Sequence, residues 1–181
     1  MIARLVIIVL TVIAPWSESR SQERWPVSIE ATVGLGVGDT NGDYRDNGTG
    51  VTADVSVAWR VRPSNKGGFV GGLNWAGQGT GPTSDICILR TDGTCVPRFP
   101  DFFIIGALLG WENGRENVRF LAGPARVDAG SSILGWQARL DASVPLAWHV
   151  SVLGSARGIL LPDYRGDQFR LGALGIGLRL R

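Results

Sequence analysis

Three features of the chain predict an all-β fold, an eight-stranded antiparallel up-and-down transmembrane β-barrel. Eight stretches alternate apolar with polar or small residues at a period of two. An apolar leader precedes them, and the connections between them tend to alternate long and short. Period two marks extended strand, because successive side chains leave opposite faces of the pleat. At 181 residues the chain is one domain, or one domain behind a removable leader.

Met1 to Arg4 supplies a weakly positive start, and Leu5 to Ala14 is apolar except for Thr11. That run is too short to span a bilayer and has the layout of a secretory signal peptide. Small residues follow at Ser17, Ser19 and Ser21. The expected division is a signal peptide over 1–21 and a barrel domain over 22–181. Net charge is +2, or +1 once Arg4, Arg20 and Glu18 leave with residues 1–21. No basic run suggests a nucleic-acid partner. Past the leader no stretch approaches eighteen consecutive apolar residues, so a membrane-inserted mature chain must cross with strands closed into a barrel.

The first strand, about Val27 to Gly38, is the cleanest. Val27, Ile29, Ala31, Val33, Leu35 and Val37 point one way, and Ser28, Glu30, Thr32, Gly34, Gly36 and Gly38 the other. Residues 39–50 form a polar loop dense in turn formers. The second strand sets Val51, Ala53, Val55, Val57, Trp59 and Val61 against Thr52, Asp54, Ser56, Arg60 and Arg62. A short turn over 63–67 leads to a third strand with Phe69, Gly71, Leu73 and Trp75 on one face. The longest connection, about 77–100, holds both cysteines. The fourth strand, Phe102 to Trp111, is apolar on both faces and does not declare its orientation. Asn113-Gly114 reads as a tight type I′ hairpin. The fifth strand starts at Val118 and is expected to dissolve near Pro124, with a loop to Ser132. The sixth sets Leu134, Trp136, Ala138, Leu140, Ala142 and Val144 against Gln137, Arg139, Asp141 and Ser143. A turn over Pro145 to Ala147 precedes a seventh strand with Trp148, Val150 and Val152 opposite His149, Ser151 and Ser155. After a loop over Pro162 to Gln168, Leu174, Ile176, Leu178 and Leu180 close the eighth.

Alternation alone does not say which face is outside, since a soluble lipid-carrying barrel has the same period with its apolar face inward. The aromatics favour the membrane. Trp59, Phe69, Trp111 and Trp148 lie on the apolar face near short turns, and Trp75, Phe103 and Trp136 lie toward the long-loop ends of that face. Two aromatic bands are what the two interfaces of a bilayer select. The opposite face carries Glu30, Asp54, Glu112 and Asp141 with Arg60, Arg62, Arg119, Arg139, Arg157 and Arg179. Charges of both signs suit the narrow lumen of an eight-stranded barrel, where they can pair.

On this pattern, over about residues 25–181, the chain resembles the eight-stranded outer-membrane barrel superfamily, which includes the membrane domain of outer-membrane protein A and outer-membrane protein X. The resemblance implies a location in the outer membrane of a diderm bacterium, with outer-membrane lipid as its surroundings. The family's last strand usually ends in an aromatic residue that the assembly machinery recognises. Here it ends Gly175-Ile176-Gly177-Leu178-Arg179-Leu180-Arg181, with alternation intact and no terminal aromatic.

Cys87 and Cys95 lie close together in an exported chain, so a disulfide is expected, worth roughly 2–3 kcal/mol in the chain-entropy model. His149-Val150-Ser151 is the one catalytic candidate. Some barrels of the superfamily are lipid A deacylases with a His-x-Ser pair and a downstream carboxylate, for which Asp163 would serve. The expected topology instead puts His149 beside a periplasmic turn, facing the lumen and far from the outer leaflet, so a structural role is preferred. Asp39, Asn41 and Asp43 alternate as in calcium loops, but Tyr44 and Gly50 stand where glycine and a bidentate glutamate belong. The glycines at 34, 36 and 38 open no helix and are expected to thin the lumen face. The reading is a monomeric, non-enzymatic barrel with a packed polar lumen, no cofactor or metal, and loops that meet an unknown extracellular ligand. The alternatives are an outer-membrane lipid A-modifying esterase and a periplasmic lipid-binding barrel.

Overall fold

The computed structural model describes residues 26–40, 48–61, 67–80, 87–89, 95–97, 102–115, 117–128, 132–164 and 167–181. The expected signal peptide lies outside them. Ten strands follow in chain order: β1 (Val27–Thr40), β2 (Gly48–Arg60), β3 (Gly67–Thr80), β4 (Cys87–Leu89), β5 (Cys95–Pro97), β6 (Phe102–Asn113), β7 (Val118–Asp128), β8 (Ser132–Ala147), β9 (Val150–Tyr164) and β10 (Asp167–Leu180). Eight of them close a barrel in the order β1-β10-β9-β8-β7-β6-β3-β2, and β4 pairs β5 in a separate ribbon. Every barrel pairing is antiparallel, and the first and last strands seal the ring from Ile29↔Leu180 to Thr40↔Phe169.

The alternation in sequence becomes an inside and an outside. Val33, Leu35, Val51, Leu109, Leu134, Leu174 and Ile176 stand exposed on the outer wall, while Glu30, Asp54, Arg119, Arg139 and Arg179 are buried within. This inversion of the usual burial rule needs an apolar solvent outside. The doubly apolar β6 resolves into Phe102, Ile104 and Leu108 inward with Phe103, Ile105, Leu109 and Trp111 outward.

Several boundaries differ from the sequence reading. β7 does not dissolve at Pro124 but runs to Asp128, with Pro124 opposite Trp136. The proline's missing N–H shows only on the other side. There the ladder with β6 lapses between Gly106↔Ala125 and Leu109↔Ala122, then resumes in the same register. The ladders also continue into segments read as loops, leaving only residues 129–131 between β7 and β8 and only 165–166 between β9 and β10. The loop asymmetry therefore rests on the first and third connections.

Two turns are built differently. Asn113-Gly114 is not a two-residue type I′ turn, which needs positive φ at both centres; Gly67 is the positive-φ glycine among the described residues. Instead Asn113 Oδ1 accepts the backbone N–H groups of Asn117 (3.1 Å) and Val118 (3.2 Å), so the side chain closes a longer loop. The expected turn at Pro145 to Ala147 moves on to Trp148 and His149. Proline cannot donate to the β9 ladder, and the register shifts between Pro145↔Ser151 and Ala147↔Val150.

Candidate functional site

The lumen is the most elaborated part of the molecule. Cross-strand pairing sets the charges side by side: Glu30 opposite Arg179, Glu112 opposite Arg119, Arg119 opposite Asp141, and Arg139 opposite Arg157. Side chains then reach across the ring. Glu30 Oε1 accepts from Arg119 Nη1 and from Arg179 Nε (2.8 Å). Its Oε2 accepts from Arg139 Nη2 (2.9 Å) and Ser56 Oγ (3.1 Å). Glu112 takes Arg60 Nε (2.6 Å), Arg119 Nη2 (3.0 Å) and Arg181 Nη2 (3.1 Å). Asp54 takes Arg139 Nη1 (2.9 Å) and Arg157 Nη1 (2.6 Å), and Asp141 takes Arg139 Nε (2.7 Å). In ring order β7 stands opposite β1 and β8 opposite β2, so Arg119–Glu30 and Arg139–Asp54 are struts across the full diameter. Beside them Asn74 and Gln137 exchange hydrogen bonds of 3.2 and 2.7 Å.

The sequence reading missed the upper lumen. It is not polar throughout: Ala76, Phe102, Ile104, Ala125, Val127, Ile159, Leu161, Phe169 and Leu171 form one buried apolar cluster toward the long-loop end. Phe102 and Phe169 meet there at a centroid distance of 5.1 Å. A smaller cluster of Ala58, Val70, Leu108 and Leu121 lines one wall nearer the short turns. The signal was in β6, β9 and β10, where apolar residues occupy both parities. A water-poor layer above the ion pairs lowers the local dielectric and strengthens them.

All seven predicted belt aromatics face outward: Trp59, Phe69, Trp75, Phe103, Trp111, Trp136 and Trp148. Trp148 sits in the β8–β9 turn instead of on a strand. Phe69 and Trp111 are cross-strand partners in an edge-to-face contact at 5.4 Å. Trp59 lies over Gly71, its cross-strand partner on β3, where an added Cβ would come within 2.8 Å of the indole nitrogen. The thinning expected of Gly36 is seen against Gln78 and Thr52, whereas at Gly34 an added Cβ would strike the backbone of Leu174 instead.

His149 and Ser151 are not brought together. His149 is exposed in the turn, its carbonyl accepting the Arg181 N–H at 2.8 Å, while Ser151 is buried in the lumen opposite Arg179. The lumen-facing histidine of the sequence reading is thereby corrected, the shifted turn having carried it off the strand. The side chain of Asp163, Arg62, and most of the acidic loop, including Asn41 and Asp43, lie outside the described residues. So do the side chains of Cys87 and Cys95. Their backbone register is Cys87↔Pro97 and Leu89↔Cys95.

No protein-family model and no curated protein matches the chain. Among solved structures, two crystal structures of Ail, the attachment invasion locus protein of Yersinia pestis, are similar at 11% and 14% identity. Both cover 86% of this chain and 100% of the other, with TM-scores of 0.48 and 0.45; the first contains the heparin analogue sucrose octasulfate. Neisserial surface protein A (NspA) is similar at 13% identity over 86% of this chain and 97% of its own, with a TM-score of 0.60. The closed ring of eight antiparallel strands, apolar outside and charged within, is thus the fold of the eight-stranded outer-membrane β-barrels.

Proposed function

We propose that the protein is a monomeric outer-membrane barrel that works as a surface-contact scaffold, presenting its long-loop end to an extracellular ligand. The observation that carries this reading is the filled lumen. Struts of arginine and carboxylate span its diameter below an apolar layer, so the barrel is built as a pillar and not as a diffusion path. The outer wall, apolar between two aromatic bands, supports a bilayer around it. A surface location is what its name states for Neisserial surface protein A, and it is carried over here on the shared barrel alone. The esterase alternative loses its geometric motive, because Ser151 is buried in the lumen while His149 is exposed in the β8–β9 turn.

The test is isolation of outer membranes from cells expressing the full chain, followed by gel migration with and without heating and by conductance in planar bilayers. The expected result is release by detergent only, a heat-dependent mobility shift, and no steady conductance. Release by a salt wash would overturn the membrane reading in favour of a soluble lipid carrier. A stable open channel would overturn the scaffold.

A further inference from the structure

The outer wall is not evenly covered. Cross-strand pairing sets Ala138 (β8), Gly158 (β9) and Gly172 (β10) side by side on it. One outward position below Gly158, Ala156 stands between Leu140 and Leu174, which are both exposed. Phe120 on the β7 side and Ile176 on the β10 side complete the flanks of a groove of about 760 Å³, open to the outside and almost wholly apolar.

The barrel itself does not demand glycine here. Gly67 alone among the described glycines has a positive φ, so backbone conformation is not the reason. Crowding is not the reason either. A Cβ added at Gly158 meets nothing within 4 Å, and one at Gly172 meets only the Val37 carbonyl at 4.0 Å. At Gly71, by contrast, the indole of Trp59 already fills the space. Glycine within a strand weakens it, and where no bulge or bend requires it, it marks a place that something else approaches.

The position of the groove in the wall identifies the occupant. It opens just below Trp136, which follows next outward above Ala138 and belongs to the long-loop aromatic band, and it descends to Leu140 midway along β8. That is the depth of a hydrocarbon chain whose headgroup stands at the band. Charge at the rim does not select the headgroup, because Arg170, next above Gly172, stands opposite Asp39. A second barrel presents a convex wall and would touch the rims, leaving the floor empty.

We infer that this groove holds one acyl chain of a bilayer lipid from the long-loop side, more firmly than the rest of the wall does, an inference that rests on the bilayer reading proposed above. A chain lying over Gly158 and Ala156 is contacted from the floor and from both flanks, whereas a chain against an even wall is contacted from one side.

The full chain is folded in detergent, incubated with dimyristoylphosphatidylcholine and separated from free lipid, and native mass spectrometry counts the lipid retained per barrel. Wild type should retain one. Gly158→Leu with Gly172→Leu fills the groove with side chains that have room, and should lower the retained fraction about tenfold. Gly158→Leu alone serves if the double variant fails to fold. The control is Gly77→Leu, an outward position on β3 away from the groove where a Cβ also has room; it should retain lipid as wild type does. No retained lipid in wild type, or equal retention in the filled variant, would overturn the groove. A dimer in place of bound lipid, lost on filling, would assign the face to a second copy instead. Insertion of the same proteins into vesicles, read by the heat-dependent gel shift, separates the two readings. Barrels that insert but retain no lipid sink the groove alone, and barrels that do not insert sink both.

Discussion

Glu30 is the residue on which the lumen turns. One carboxylate meets Arg119, Arg139 and Arg179 from three different strands, with Ser56 beside it. Removing one partner of a buried ion pair leaves the others uncompensated, which costs about 3–5 kcal/mol. Glu30→Ala should therefore lower unfolding stability by that amount in urea titrations of the barrel in lipid vesicles. Arg126→Ala is the control. Its pair with Asp128 at 3.5 Å stands on the exposed outer wall near the barrel's long-loop end, and its loss should cost less than about 1 kcal/mol. Equal losses for the two would mean that the lumen network contributes no more than a surface pair. The identities of these residues were legible in the sequence by parity alone. Their partners were not, because parity says that Arg139 faces the lumen but not that it reaches Asp54 on the opposite wall.

Among the elements, the β4–β5 ribbon holds both cysteines. Its register sets Cys87 opposite Pro97 and Leu89 opposite Cys95, and a chain that resides in an outer membrane meets an oxidising compartment. We expect the two to be joined. Alkylation and mass measurement of the folded protein without reductant should find no modified cysteine, and two alkylated thiols would refute the bond. Cys87→Ser with Cys95→Ser should leave the heat-dependent gel shift intact, since the barrel ladders pair independently of the ribbon. β7 and β8 show where element boundaries escape a reading of sequence. Pro124 is a strand breaker by propensity, yet it stands within a ladder that resumes in register on the β6 side and is held by Trp136 on the other. Pro145 instead moved a turn by two residues and took His149 off the strand. The same residue type had opposite consequences because one lay mid-barrel between two paired neighbours and the other at a free end.

At the scale of the whole molecule, the outward tryptophans should mark the height of the bilayer. In vesicles of lipids brominated at the chain ends, single-tryptophan variants retaining Trp59, Trp111 or Trp148 should be quenched less than a variant carrying only Leu140→Trp. Leu140 is exposed midway along β8, while the three tryptophans stand next to short turns. Quenching of all three as strong as at position 140 would remove the belt and the membrane orientation with it. The closing pair, β1 with β10, runs in register to Leu180. Arg181 continues it, donating its N–H to His149 and its Nη2 to Glu112 across the short-turn mouth.

Period-two alternation, by itself, determined the eight barrel strands and which residues of most of them share a face, because side-chain parity is a local property of extended backbone. It also placed the seven belt aromatics on the outer wall and Glu30, Asp54, Glu112, Asp141, Arg119, Arg139, Arg157 and Arg179 on the inner one. The tertiary structure alone decided which acid meets which base. It also decided that the upper lumen is apolar and where β8 turns into β9. Those depend on ring closure, which brings strands distant in sequence face to face across a lumen too narrow to leave any of them solvated.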